Sequence, residues 1–214
     1  MRAGEMAEVK TRKSRGTLRP VAGRQEILAA ANSIGLSLGW KAVTIRAVAQ
    51  RLGYTAPLLY QHFRDKEELL TELALEGQLA LARELRRELP AEPHAAILRM
   101  VDRYWSFMLG NKQLYRLMNG MDGVAIDRER IGDIAPRSFA AARSVVQAWL
   151  VGECGEGSGA DRLLDELWAV LHGMAVLYLD RYAPFNLGCA KDCVAKLLMG
   201  TREHAQSLPS QTDR

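Results

Sequence analysis

Residues 43–66, V-T-I-R-A-V-A-Q-R-L-G-Y-T-A-P-L-L-Y-Q-H-F-R-D-K, leave the backbone few options. Ile45, Val48, Ala49 and Leu52 recur at helical spacing, Gly53 interrupts, and Leu58, Leu59 and Phe63 resume the pattern. The spacing predicts two short helices joined by a tight turn, a helix-turn-helix. Thr44 and Thr55 stand where N-caps are needed, and Gly53 where a left-handed C-cap is needed. Pro57 falls in a first turn, where its missing N–H costs no intrahelical bond. Asp65 followed by Glu68 makes a capping box, so a further helix starts at about Lys66.

The order T-I-R-A-V-A-Q-R-L-G-Y-T-A-P-L-L-Y-Q-H-F-R-D-K-E-E-L-L resembles the DNA-binding domain of the tetracycline-repressor (TetR/AcrR) family of bacterial transcriptional regulators. The likeness spans residues 24–70, and its most specific part is L-Y-x-H-F-x-x-K-E-x-L, from Leu59 to Leu69. One position departs from the family, whose first helix carries an apolar-aromatic pair near its end where this chain has Ile34 and Gly35. Gly35 leaves a space under the recognition helix that Trp40 is placed to fill.

The resemblance implies an all-α fold of about nine helices: a three-helix DNA-binding head over residues 21–66 and a ligand-binding, dimerising bundle over residues 67–214. It also implies that Thr44, Arg46, Thr55, Ala56, Pro57, Leu58, Tyr60, Gln61, His62 and Lys66 contact a double-stranded operator. Chemistry sorts these into roles. Arg46 and Gln61 carry the donors and acceptors that read bases, Arg preferring guanine and Gln adenine, while Ala56, Pro57 and Leu58 offer apolar contact. Thr44, Thr55, Tyr60, His62 and Lys66 suit phosphate oxygens, with packing as the alternative role for Tyr60 and His62.

Charge is divided unevenly along the chain. Residues 1–66 hold twelve Lys and Arg against four Asp and Glu, leaving seventeen basic against twenty-one acidic residues in 67–214. A basic head on an acidic body fits a partner that is a polyanion, because clustered cations release its counterions. At 48% apolar and 25% charged the chain is ordinary globular protein. The longest uncharged apolar run, residues 167–179, is too short to cross a bilayer, and no apolar signal core opens the chain. A soluble cytoplasmic protein without membrane contact is expected. Three cysteines, Cys154, Cys189 and Cys193, are an odd number, and reduced thiols are the expectation.

Residues 1–20 read as a disordered basic arm, which either follows the DNA backbone and minor groove or is a solvated tail. A helix is predicted over residues 21–38, with Ile27, Leu28, Ala31, Ile34 and Leu38 on its apolar face and Gly39 as its stop. The helix from Lys66 is expected to run towards Leu89, where Pro90 and Pro93 end it. Helices follow at 95–109 and 112–118, a glycine-punctuated loop at 119–133, a helix from Pro136 to about Val151, a flexible connection at 154–159, and helices at 161–182 and 188–206. Ser207 and the residues after it read as a frayed tail.

The penultimate helix is apolar nearly all round and needs cover on two sides, which a second subunit supplies most simply. Ala169 and Gly173 permit close approach, and the last helix completes a four-helix homodimer interface. Trp168, His172 and Gly173 resemble the W-H-G type of ligand-binding domain found in part of the family. Trp105, Met108, Tyr115, Met118, Trp149, Trp168 and His172 are the candidate contacts for a small-molecule inducer. Such residues line adaptable cavities, and at helical spacing they equally form plain core. Cys189 and Cys193 lie one turn apart without a supporting third ligand, so no metal and no cofactor are expected. No catalytic motif is present, so the chain reads as a ligand-responsive repressor rather than an enzyme. The alternatives are a helical small-molecule or protein-binding module without sequence-specific DNA binding, and an all-α enzyme using His172 and Cys193.

Overall fold

The computed structural model describes residues 23–155 and 157–207, and among these the chain is helical without a strand. The arm expected at residues 1–20 and the tail from residue 208 lie outside the described residues. Ten α-helices are present among the described residues, one more than the sequence pattern predicts.

Helix α1 (Arg24–Leu38) starts after Gly23 and buries Ile27, Leu28, Ala31 and Ile34 as expected. Leu38, assigned to the same face, is instead 72% exposed. The chain turns at Gly39, and the core position that Leu38 would have taken goes to Trp40, which is 1% exposed in a single 3-10 turn (Trp40–Ala42). Helix α2 (Ile45–Leu52) and the one-turn helix α3 (Ala56–Leu59) follow, and α1 packs on α2 and on α4 (Lys66–Leu85). The Asp65 carboxylate accepts the Glu68 N–H at 2.8 Å, while the Glu68 carboxylate reaches back to the Arg64 N–H at 2.8 Å, one residue earlier than a reciprocal box would place it.

Helix α4 stops at Leu85, short of the predicted prolines, in a turn where Glu88 adopts a left-handed φ of 49°. Pro93 does not end a helix but opens α5 (Pro93–Gly110), because its missing N–H is harmless in a first turn. Glu92 caps that turn by accepting the His94 and Ala95 N–H groups. Helix α6 (Lys112–Met118) matches its prediction. The loop predicted at residues 119–133 is only partly one, since α7 (Arg128–Ser138) begins where the Asp127 carboxylate accepts the Arg130 N–H at 2.9 Å. A break at Phe139 separates α7 from α8 (Ala140–Cys154), so the single helix predicted from Pro136 is divided. Helices α9 (Ala160–Leu179) and α10 (Leu187–Ser207) close the fold.

Helix α4 joins the two halves. It packs on α1 at one end and on α5, α6 and α7 along the rest, while α5, α8, α9 and α10 pack together as the distal bundle. One apolar core runs through the molecule, from Ile27, Val48, Leu59 and Phe63 through Leu69, Leu70 and Leu73 to Met108, Val146 and Val194.

Gly35 has no room for a side chain. A Cβ built on it would overlap the Trp40 ring, so the space left by glycine is the seat of the indole. The Trp40 Nε1–H leaves the head altogether and donates to the Gln113 carbonyl of α6 at 2.9 Å. Gly35→Ala should therefore cost about 1–3 kcal/mol in urea unfolding, and Trp40→Leu in the same chain should recover part of it. An unchanged unfolding midpoint for Gly35→Ala would contradict the contact.

Candidate functional site

The helix-turn-helix is built from local backbone bonds and two buried anchors. The Thr44 hydroxyl accepts the Ala47 N–H at 3.0 Å and starts α2. Gly53, at φ 72°, ends it by returning its N–H to the Ala49 and Gln50 carbonyls, a conformation costly for any residue with a Cβ. Thr55 occupies the N-cap position of α3, but its hydroxyl makes no capping bond and stays exposed. Helix α3 is one turn long, with Pro57 inside it as expected. Tyr60, Gln61 and His62 continue it as a tight turn, their N–H groups bonded to the Ala56, Leu58 and Leu59 carbonyls. Leu59 and Phe63, both at 0% exposure, pin this unit to the core.

The same anchoring turns the remaining side chains outward. Thr44, Arg46, Thr55, Pro57, Tyr60 and Gln61 are exposed, with 55% of Tyr60 open to solvent, whereas Ala56, Leu58 and His62 are half-buried. Arg46 makes no hydrogen bond or ion pair with another described residue, so its guanidinium is available. Lys66 differs from the expectation for a free phosphate ligand: its Nζ donates to the Lys41 carbonyl at 2.9 Å, and partial burial lowers its pKa. It thus braces the turn before α2 as well as carrying charge. A convex unit of this size, with one free Arg and an amide side chain, can enter a groove of a duplex and present donors and acceptors to base edges.

In the body, Trp105, Met108, Tyr115, Met118 and Trp149 are buried at 0–4% exposure, while Trp168 lies on the surface at 51%. Trp168 stacks on His172 with centroids 5.0 Å apart and rings 7° from parallel. His172 Nδ1 is 2.6 Å from the Tyr115 hydroxyl, which is 2.6 Å from the Tyr104 hydroxyl. A neutral His172 accepts from Tyr115, and Tyr115 then accepts from Tyr104. Burial lowers the His172 pKa and pushes Tyr115 up to about 12, so all three groups are held uncharged at neutral pH. Tyr104 is not marked by the sequence, since its partner Tyr115 lies on the next helix, α6, outside the spacing of its own helix α5.

Two open clefts lie away from these aromatic residues. One of about 840 Å³ is lined by Arg83, Arg86, Arg103 and Phe107 among others, between α4 and α5. The other, about 550 Å³, lies between the head and α6, with Leu38, Lys41, Arg116 and Asp122 on its walls. Trp105, Met108, Tyr115, Met118 and Trp149 belong to the buried core, and neither they nor Trp168 and His172 line either cleft. Among the described residues no group of three His, Cys, Asp or Glu is placed to hold a metal, and Cys189 and Cys193 are free thiols.

Residues 27–73 match the family model of bacterial regulatory proteins of the tetR family. That segment of the chain is therefore of the tetR-family type. A curated relative, the tetracycline repressor protein class A from transposon 1721 of Escherichia coli, is 35% identical over 103 residues, which cover 47% of this chain and 42% of that protein. The chain thus matches less than half the length of that relative. A solved structure from Rhodococcus sp. RHA1, of a protein of unknown function, superposes with a TM-score of 0.69 at 24% identity, over 89% of this chain and 98% of that one. The TetR family transcriptional regulator PfmR of Thermus thermophilus gives 0.52 at 22% identity, over 81% and 97%. At such identities the structural likeness establishes the fold alone. The matched segment ends on α4, at residue 73, and the helical bundle beyond it is shared with the Rhodococcus structure.

Removing the central hydroxyl of the buried chain leaves Tyr104 and His172 unpaired. Tyr115→Phe should cost about 1–3 kcal/mol in denaturant unfolding at neutral pH. Because folding lowers the His172 pKa below its ordinary 6.5, the unfolded chain binds its proton more readily, and stability should fall as pH drops below 6.5 towards the folded value. Thermal unfolding from pH 8 to 5 checks this, and a midpoint for His172→Gln that falls as steeply as the wild type would contradict it.

Proposed function

We propose that this chain is a transcriptional regulator whose head, residues 21–66, reads a palindromic operator as a homodimer and whose body, residues 67–214, takes a small molecule that releases the DNA. The observation that carries the reading is the pairing of buried Leu59 and Phe63 with outward Arg46, Tyr60 and Gln61 in a segment that matches the tetR family. The relative in Escherichia coli bears the name of a repressor, which favours repression here as well.

Exposed apolar residues support the dimer. Ala169, Gly173 and Leu177 recur every fourth residue along α9 and are all exposed, and Cys193 and Gly200 are exposed on the neighbouring α10. Such a stripe of small residues and a Leu lets two helices approach closely, and a second copy of α9 and α10 would cover it. The two recognition units would then enter successive major grooves about one helical turn apart.

Helix α6 supports coupling between ligand and DNA. It carries both the Tyr115 hydroxyl, bonded to His172 of α9, and the Gln113 carbonyl, bonded to Trp40 of the head. A molecule that binds among Trp105, Met108, Tyr115, Met118, Trp149, Trp168 and His172 would have to open this packing, and displacement of α6 would reach Trp40. DNA affinity then falls by no more than the ligand's differential affinity for the two states. Among the described residues no helix is long and apolar enough to cross a membrane.

The test is a mobility shift on DNA upstream of the protein's own gene, with a salt series. Arg46→Ala and Gln61→Ala should each lose about 1–3 kcal/mol on the preferred site and relax selectivity at one base position. Lys66→Ala should weaken all sequences alike. Binding to every operator variant that is unchanged by Gln61→Ala would remove that residue from base reading.

A further inference from the structure

We infer that Arg24, Glu72 and Arg130 form a positioning relay through which the body fixes the end of the recognition turn, an inference that rests on the DNA-binding reading above. The His62 carbonyl is the last of that turn, and no described backbone N–H bonds to it. Orphaned carbonyls at helix ends need a donor from elsewhere. Arg24, in the first turn of α1, supplies it at 2.5 Å and places its guanidinium 4.2 Å over the Phe63 ring. One side chain thus holds both the carbonyl and the aromatic anchor.

The orientation of Arg24 is set in turn by α4. Its second nitrogen pairs with Glu72 at 2.9 Å, and Glu68 lies 3.8 Å away. The Glu72 side chain is only 18% exposed and takes a second cation, Arg130 of α7, on the same oxygen at 2.5 Å. Charge-assisted bonds to a largely buried carboxylate are short and directional, so they orient as well as attract. The adjacent residue of α4 repeats the connection: Thr71, 1% exposed, accepts the Asp127 N–H at the start of α7 at 2.9 Å. Thr71 and Glu72 therefore hold the start of α7 on one side, and Glu72 holds Arg24 on the other. The path runs from α7 to Glu72, to Arg24, to the His62 carbonyl, and bypasses α6.

Two features separate positioning from simple charge. Glu72 is an anion near a surface that meets a polyanion, so neutralising it should tighten DNA binding if only charge matters and weaken it if orientation matters. Arg24 is a cation, so its loss should lower the salt dependence by about one phosphate contact if it touches DNA, and leave the slope unchanged if it acts through His62.

The full-length protein is measured in two ways. Without DNA, hydrogen exchange in residues 60–64 should quicken in Glu72→Gln and in Arg130→Ala. With the upstream DNA fragment, both variants and Arg24→Ala should bind roughly 3- to 30-fold more weakly at unchanged salt slope. Arg130→Ala should add little once Glu72 is Gln, because the two act in series. Tighter binding by Glu72→Gln, additive losses, or a wild-type exchange pattern in the variants would overturn the relay. Quickened exchange in a protein that shows no selective DNA binding even as wild type would support the relay as a head-to-body tether and sink the DNA-binding reading instead.

Discussion

The indole of Trp40 fills the space that Gly35 leaves and bonds across to Gln113, and this one side chain decides how the two halves of the molecule meet. A large aromatic ring with a single polar N–H is suited to such a junction, since its body is buried in one unit while its donor reaches another. The head is therefore not a bead on a flexible linker. Its core is continuous with that of the bundle, and its orientation is a property of the whole chain.

Helix α4 extends the same constraint. It passes from the head into the body without a break, and at Gly77 it lies so close to α6 that a Cβ there would come within 3.2 Å of Leu114 and 3.3 Å of Met118. Two separate connections thus lead from the bundle to the head, one through α6 to Trp40 beside α1, the other through Glu72 and Arg24 to the His62 carbonyl. Neither uses Arg46, Tyr60 or Gln61, which stay exposed. Cores packed this densely do not deform gradually, so a molecule lodged among the aromatic residues of the body would shift discrete contacts. The uncharged chain from Tyr104 through Tyr115 to His172 offers such a set, since a polar group entering there can exchange bonds with it.

Signals confined to a few residues were legible in the sequence. Thr44, Gly53, Pro57 and Asp65 act within one helical turn, and their capping positions agree with the structure, apart from the unused hydroxyl of Thr55. Signals that depend on which way the chain turns were not. Leu38 continues the apolar face of α1 by spacing, yet Trp40 takes the core. Pro93 reads equally well as a stop or as a first-turn residue, and only the Glu92 cap decides. Asp127, three residues before Arg130, was a readable N-cap obscured by the glycines around it. The outward part of the candidate DNA surface was visible because a recognition helix has a fixed inner face. The buried aromatic stock was visible as composition but not as geometry, and the contacts among Arg24, Glu72 and Arg130 span distances along the chain that no periodicity marks.

Head and body should move as one unit in the free protein. Electron spin resonance between labels at Gln50→Cys on α2 and Arg99→Cys on α5, in a chain with Cys154, Cys189 and Cys193 replaced and diluted with unlabelled protein, measures the distance between them directly. A single narrow distribution is predicted, and Trp40→Leu should broaden it. A distribution already broad in the parent chain would contradict the account.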